Sequence, residues 1–327
     1  MAKVKFAIPK GSLAEETLNI LREAGYEIRG SERTYRPWIN DEEIDLRIMR
    51  PQEIPTFVSE GMQDLGITGK DWIRETRSDV EILLDLEYGG VKLVLAVPKP
   101  WRDINSLSDL IEKCHRENRS LRICTEFLNL ANEYIMANPV YQKYYGDLEP
   151  LTLTPWWRKG SNPMVKIFLS FGAAEAQPPD NADAILDLTE TGRTLEQNNL
   201  KIVDVVLRSS AVLIASKESL KDPWKREKIY DILTLLRGVV DGRKKLHIFV
   251  NVKEENLKEL MDQLPALKSP TISHLSMEGW YSINTVIDRE EFLKILPTLR
   301  RLAQGLVVFE PRQVLPLDDL PRGDESG

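Results

Sequence analysis

Along the first half of the chain, short apolar runs alternate with stretches whose apolar residues recur every three or four positions. The runs 5–8, 44–49, 65–68, 92–97, 121–124, 151–154 and 184–188 have the length and composition of buried strands. Between them Leu13, Leu18, Ile20 and Leu21 share a near-helical spacing, as do Ile54, Phe57 and Val58 before Gly61 ends that segment. Strands alternating with helices build a largely parallel, doubly wound sheet whose ligands sit beyond the carboxyl ends of the strands. Residues 90–98, followed by Pro100, mark an exit into a second lobe, and 182–216 reads as strand, loop, helix and a long apolar return. The pattern predicts a two-lobed α/β body with a cleft, the first lobe built from 1–98 and 184–221 and the second from 99–183.

After Asp222-Pro223 the periodicity changes. An N-cap residue followed by proline at the first helical position opens a helix, and Trp224, Ile229, Ile232, Leu233 and Leu236 give it one apolar stripe before Gly242. Residues 222–243 are therefore expected to form a linker helix. Beyond it the order is strand 246–252, helix 255–263, strand 271–275, strand 281–287, helix 291–302 and strand 305–309. That βαββαβ order predicts a ferredoxin-like module over 244–316, with a flexible polar tail at 317–327.

Composition narrows the function. With 327 residues, 42% of them hydrophobic and 29% charged, the chain exceeds one hydrophobic core and suits a globular protein of two or three domains. A net charge of −7 argues against a nucleic-acid partner, which needs a basic face. The apolar run in the opening residues is short and broken by Lys5 and Lys10, unlike a signal peptide, and no uncharged stretch approaches membrane-spanning length. A cytoplasmic protein with no membrane partner is expected. Cys114 and Cys124 lack a CxxC pairing and read as buried reduced thiols, while His115, His247 and His274 share neither metal-ligand spacing nor a triad arrangement. Acidic runs such as Asp41-Glu42-Glu43 read as solvated faces.

The richest segment for chemistry is Asp183-Ala184-Ile185-Leu186-Asp187-Leu188-Thr189-Glu190-Thr191-Gly192-Arg193-Thr194-Leu195. An apolar strand delivers Asp187 near its end, and hydroxylated residues around Gly192 lead into a helix start. Such a loop can wrap a phosphate with backbone N–H groups and hydroxyls, leaving Asp187 to face sugar hydroxyls. On the residues alone, an ordinary strand-to-helix turn capped by Thr189 or Thr191 fits equally well. Lys10-Gly11, after the first strand, could bring a cation and close backbone to an anion, or could be surface residues beside a capping Ser12. No G-x-x-x-x-G-K-[ST] pattern occurs, so any ATP is held without a P-loop. The cationic candidates Arg33, Arg36 and Arg50 lie near strand or loop ends, as a polyanion requires.

The 183–195 segment resembles the 5-phosphoribosyl-1-pyrophosphate (PRPP) motif of ATP phosphoribosyltransferases. Other segments match that family in the same order: Pro9-Lys10-Gly11-Ser12-Leu13, Tyr35-Arg36-Pro37, Arg50-Pro51-Gln52-Glu53-Ile54-Pro55, Asp64-Leu65-Gly66-Ile67-Thr68-Gly69, Thr125-Glu126-Phe127, Gly172-Ala173-Ala174-Glu175 and Ser269-Pro270-Thr271-Ile272-Ser273. The chain is identified by this resemblance as a long-form member of the family. The resemblance implies a periplasmic-binding-protein-like catalytic body with a C-terminal ferredoxin-like regulatory domain. It implies transfer of the phosphoribosyl group of PRPP to N1 of ATP with Mg²⁺, as the first step of histidine biosynthesis. Lys10, Arg50 and Asp187 are the implied catalytic residues. Asp183, Asp187, Thr189, Glu190, Thr191, Gly192, Arg193 and Thr194 are implied for PRPP, and Lys10, Gly11, Arg33, Arg50, Asp64, Gly69, Glu126 and Glu175 for ATP or pyrophosphate. L-Histidine is the implied inhibitor, at Asn251, Leu267 and Thr271, in a homo-oligomer shifting between dimer and hexamer.

The segment 138–158, with Tyr141, Tyr144, Tyr145, Trp156 and Trp157, is longer and more aromatic than in short members of the family, and no task follows from it. The alternative reading is a non-catalytic two-lobed small-molecule binding protein. A phosphoribosyltransferase for a free base and a regulatory subunit without activity are further rivals.

Overall fold

The computed structural model describes residues 2–30, 34–264, 270–315 and 317. The candidate residues Arg33 and Leu267, and the tail apart from Leu317, lie outside these. By contact density the chain forms two compact units, one of Met1–Lys5, Glu15–Arg47 and Glu218–Gly327, the other of Phe6–Ala14 and Ile48–Lys217.

The second unit carries most of two sheets. The five-stranded sheet runs, in spatial order, Ile44–Met49, Val4–Pro9, Leu65–Gly69, Ala211–Ala215 and Glu81–Asp85. Its central strand Leu65–Gly69 is buried throughout, as an apolar run covered on both faces must be. Phe6 pairs parallel with Leu65, whereas Ala211–Ala215 returns antiparallel against the same strand. The seven-stranded sheet runs Arg158–Lys159, Pro150–Leu153, Asn162–Leu169, Leu121–Thr125, Ala184–Thr189, Val91–Pro98 and Leu200–Ser209. Leu95, Leu110, Ile111, Ile123, Phe127, Tyr141, Val165 and Leu186 form its core.

This membership redraws the expected lobes. Val91–Pro98, Ala184–Thr189 and Leu200–Ser209 were expected in the first lobe, but they complete the seven-stranded sheet as antiparallel neighbours. Pairing all three strands satisfies backbone groups that a sheet ending at Ala184–Thr189 would leave open. Only Ala211–Ala215 returns to the five-stranded sheet. Strand Asn162–Leu169 was not anticipated from the sequence because Pro163 argues against an inner strand. The register against Pro150–Leu153 shifts between Asn162 and Lys166, and this bulge is what accommodates the proline.

Within the first unit, Pro223–Arg243 is a helix whose Asp222 cap accepts from the Lys225 N–H at 3.1 Å. Ile229, Ile232 and Leu236 are fully buried, whereas Trp224, placed on the same stripe by the sequence pattern, is 37% exposed. Lys228 ion-pairs with Asp41 at 2.8 Å and Glu43 at 2.7 Å, and Arg243 with Glu16 at 2.9 Å and Glu23 at 3.0 Å. The expected linker is thus a packed element of its unit. The C-terminal domain has the βαββαβ order, with strands Lys245–Lys253, Thr271–His274, Trp280–Asp288 and Ala303–Phe309. Lys245–Lys253 lies between Trp280–Asp288 and Ala303–Phe309, and Thr271–His274 forms the far edge. Helices Glu254–Gln263 and Arg289–Leu302 cover one face around Ile248, Val250, Leu260, Ile283 and Leu299. No helix among the described residues is long and apolar enough to cross a membrane.

Candidate active site

Parallel strands bring their carboxyl ends to one edge of a sheet, and the loops that follow them are free of ladder pairing. In the five-stranded sheet that edge carries Lys10-Gly11 after Val4–Pro9, Arg50 after Ile44–Met49, and Gly69 at the end of Leu65–Gly69. Lys10 donates its N–H to the Met49 carbonyl at 2.8 Å, and Gly11 takes φ +80°, which a side chain would strain. Arg50 is exposed. At Gly69 an added Cβ would fall 2.1 Å from Asp71 Oδ1. In the seven-stranded sheet the corresponding edge carries Glu126, Glu175 and the 187–194 loop. Crossovers join the two edges: Ala211 N–H bonds Tyr88 O at 2.9 Å, Lys70 N–H bonds Ser210 O at 3.2 Å, and Asp71 bonds the Ser209 hydroxyl.

Glu175, Asp187, Leu188, Thr189, Glu190, Thr191, Thr194 and Leu195 line a pocket of about 300 Å³. The loop builds itself. Thr189 Oγ1 accepts from Gly192 N–H at 2.9 Å, Gly192 adopts φ +81°, and Leu195 is buried to anchor the single turn Arg193–Gln197. Glu126, which does not line the pocket, accepts through Oε1 from Gly172 N–H at 2.8 Å. Gly172 and Ala173 then take left-handed conformations in succession, φ 70° and 47°, before the short turn Ala174–Ala176 that places Glu175 on the pocket wall. A left-handed non-glycine residue costs about 1 kcal/mol, which the packing of buried Ala174 offsets.

Two expected residues lie elsewhere. Asp183 precedes strand Ala184–Thr189, four residues and about 13 Å of extended chain from Asp187. Its carboxylate is buried and spent on Arg119 at 2.9 Å, Arg122 N–H at 2.8 Å and Arg122 Nε at 3.3 Å. Asp64 is likewise buried at the amino end of Leu65–Gly69, on the edge opposite Gly69. Both entered with whole motifs that the resemblance brought in, and in each a strand separates the aspartate from the far end of the motif. Glu75, which was not singled out from the sequence, is buried and bonds across to residues just after Glu126.

Burial, with the charges of Glu175 and Glu126 beside it, pushes Asp187 up to about 6, although the Leu188 N–H pulls the other way at 2.8 Å. Its folded-state value exceeds the ordinary 3.8, so its contribution to stability is complete below that value and is lost as pH rises through 6. Asp187→Asn is accordingly expected to stabilise the free protein by about 1–2 kcal/mol at pH 8, an advantage that vanishes below pH ~4. Denaturant titrations of both proteins across that range check it. Equal stability at pH 8 would contradict the electrostatic description.

Residues 50–238 match the family model described as ATP phosphoribosyltransferase, and 242–311 match the model of the HisG C-terminal domain. An ATP phosphoribosyltransferase of Solibacter usitatus is 37% identical over 320 residues, 95% of this chain and 99% of that protein. One from Desulforudis audaxviator is 35% identical, over 96% of this chain and 100% of its own length. Among solved structures, the ATP phosphoribosyl transferase (HisG:HisZ) complex from Thermotoga maritima has a chain 26% identical, with a TM-score of 0.55, covering 73% of this chain and 98% of its own. The binding-protein reading gives way to these matches, which include the C-terminal domain. The chain belongs to the ATP phosphoribosyltransferase family, pentosyltransferases that join ATP and PRPP at the first step of histidine biosynthesis.

Proposed function

We propose that the 187–194 loop holds PRPP and that ATP meets it from the five-stranded sheet. The observation that carries this reading is the convergence of Asp187, Thr189, Thr191 and Thr194 on one polar pocket around a left-handed Gly192. Thr189 to Thr194 surround the 5-phosphate with hydroxyls and backbone donors. Asp187, raised by burial and two neighbouring carboxylates, takes hydrogen bonds from the ribose hydroxyls. N1 of adenine attacks C1 of the ribose with inversion, the N–C bond forming as the C–O bond to pyrophosphate breaks. The adenine lone pair is already nucleophilic, so the protein's task is alignment and stabilisation of separating charge. Asp187, Glu175 and Glu126 oppose the positive charge growing on the ribose, while Lys10 and Arg50 receive phosphate oxygens.

No three His, Cys, Asp or Glu side chains form a ligand set for a metal among the described residues. Glu175, Asp187 and Glu190 on the pocket wall would face Mg²⁺ brought with the substrate, which would supply charge neutralisation to the leaving pyrophosphate. Thr194→Ala is expected to raise the KM for PRPP about tenfold with little change in that for ATP, because it removes one donor to the phosphate. Initial rates at saturating ATP check this.

The C-terminal domain is proposed to bind L-histidine and inhibit the enzyme. Asn251 pairs with Ser282 and Thr271 with Asn284, which puts both on the helix-free face of the sheet. Exposed Val307 and Phe309 on that sheet favour a homo-oligomer, assigned here to interconverting dimers and hexamers in the cytoplasm. Absorbance of the product formed from ATP, PRPP and Mg²⁺, with pyrophosphatase present and histidine titrated in, tests both halves. Turnover suppressed by histidine supports them, unsuppressed turnover removes the regulatory role, and no turnover removes the catalytic one.

A further inference from the structure

The helix Leu128–Met136 begins directly after Thr125-Glu126-Phe127, and its capping residue Phe127 supplies no side-chain hydrogen bond. Its first N–H groups therefore need an acceptor from elsewhere. Glu75, on the helix Lys70–Thr76 that follows the Gly69 turn, provides it. Oε1 accepts from Asn129 N–H at 3.0 Å and Oε2 from Leu130 N–H at 3.0 Å. The Asn129 side chain closes the contact by donating to the Glu75 carbonyl at 2.7 Å. One turn earlier, the Trp72 ring packs on Phe127 with centroids 4.6 Å apart. Glu75 is only 8% exposed, so water is a poor substitute for these partners.

These contacts run from one sheet to the other. Lys70–Thr76 hangs from the five-stranded sheet and Leu128–Met136 from the seven-stranded one. The segment they fix is the one that carries Glu126. Thr125 Oγ1 accepts from Phe127 N–H at 2.9 Å, and Glu126 in turn holds Gly172 N–H, at the start of the turn that presents Glu175. Hydrogen bonds and the short stretch of backbone between them therefore connect Glu75 to two carboxylates beside Asp187. We propose that Glu75 is a positioning residue for phosphoribosyl transfer: by accepting the Asn129 and Leu130 N–H groups it sets Glu126, and through it the Gly172–Glu175 turn, against the PRPP pocket. The inference rests on the placement of PRPP at the 187–194 loop. Glu75 itself touches no substrate.

The test uses the full-length enzyme and Glu75→Gln, which keeps the size of the side chain but leaves one of the two N–H groups facing an amide donor. Expected is faster hydrogen exchange at the Asn129 and Leu130 amides together with an increase of about tenfold in the KM for PRPP, the KM for ATP changing much less. Glu75→Ala is expected to go further in the same direction. Should it fail to fold, the Gln variant decides. Arg74→Ala, which removes a surface ion pair of 3.8 Å to Glu133 between the same two helices, serves as the control and is expected to leave both constants unchanged. Faster exchange with unaltered kinetics in Glu75→Gln would reduce Glu75 to a helix cap and overturn the proposal. If Thr194→Ala and Asp187→Ala leave the PRPP constants unchanged, the pocket assignment itself fails, an outcome distinct from failure of Glu75 alone.

Discussion

Asp187→Ala is expected to lower kcat about a hundredfold to a thousandfold, a loss typical of removing a preorganised electrostatic partner of the transition state. The reasoning starts from an unfavourable carboxylate. Asp187 sits in a part-buried pocket beside Glu126 and Glu175 and is held up to about 6 by burial and by those two like charges. With PRPP in the proposed place, ribose hydroxyls, and then the positive charge that grows as pyrophosphate departs, would relieve that cost most at the transition state. On this proposal the same residue lowers the stability of the free enzyme and raises its rate. Comparable kcat in wild type and Asp187→Ala, measured at saturating ATP and PRPP, would remove Asp187 from the chemistry.

Asp183→Ala is expected to do the reverse: about 3 kcal/mol lost from stability, with the PRPP constants of the folded enzyme retained. Its side chain is 3% exposed while Arg119 and Arg122 are about a third exposed, so the cost lies at the low end for a broken buried pair. What is lost extends beyond Coulomb energy. Arg122 also donates to Asp180 O at 2.8 Å and Pro179 O at 3.3 Å, so Asp183 secures the loop that leads into the strand. Denaturant midpoints with parallel kinetics separate the two aspartates. A PRPP KM raised as strongly as in Thr194→Ala would return Asp183 to the site.

The contrast between these neighbours shows what the sequence could convey. Spacing alone marked their segment as a tight loop without choosing between a phosphate site and an ordinary capped turn, and it was the family resemblance that singled out Asp187, Thr189, Thr191 and Thr194, which share one pocket in the structure. Which end of a strand an acid occupies was also legible in principle, since Asp183 and Asp64 both precede apolar runs. The resemblance nevertheless carried them into the site as part of whole motifs. Sheet membership was harder. Residues 92–97 read as a strand and the stretch up to 216 as one long apolar return, but that return splits into Leu200–Ser209 and Ala211–Ala215 in different sheets, and antiparallel pairing across more than a hundred residues leaves no local trace. The Pro163 bulge masked a strand altogether. Glu75 was invisible for a related reason: its partners are backbone N–H groups of a distant helix, which no side-chain pattern reports. The C-terminal domain followed the expected order because alternation along Lys245–Lys253 and Trp280–Asp288 keeps one face of each strand buried.

Calorimetric titration of Mg²⁺–PRPP into the wild-type protein and into the Thr194→Ala and Asp187→Ala variants tests the central claim most directly, because it reads the pocket without turnover. The account expects binding to the wild type at one site per chain and affinity weakened about tenfold or more in each variant. Binding to both variants as tight as to the wild type would contradict it and place PRPP elsewhere.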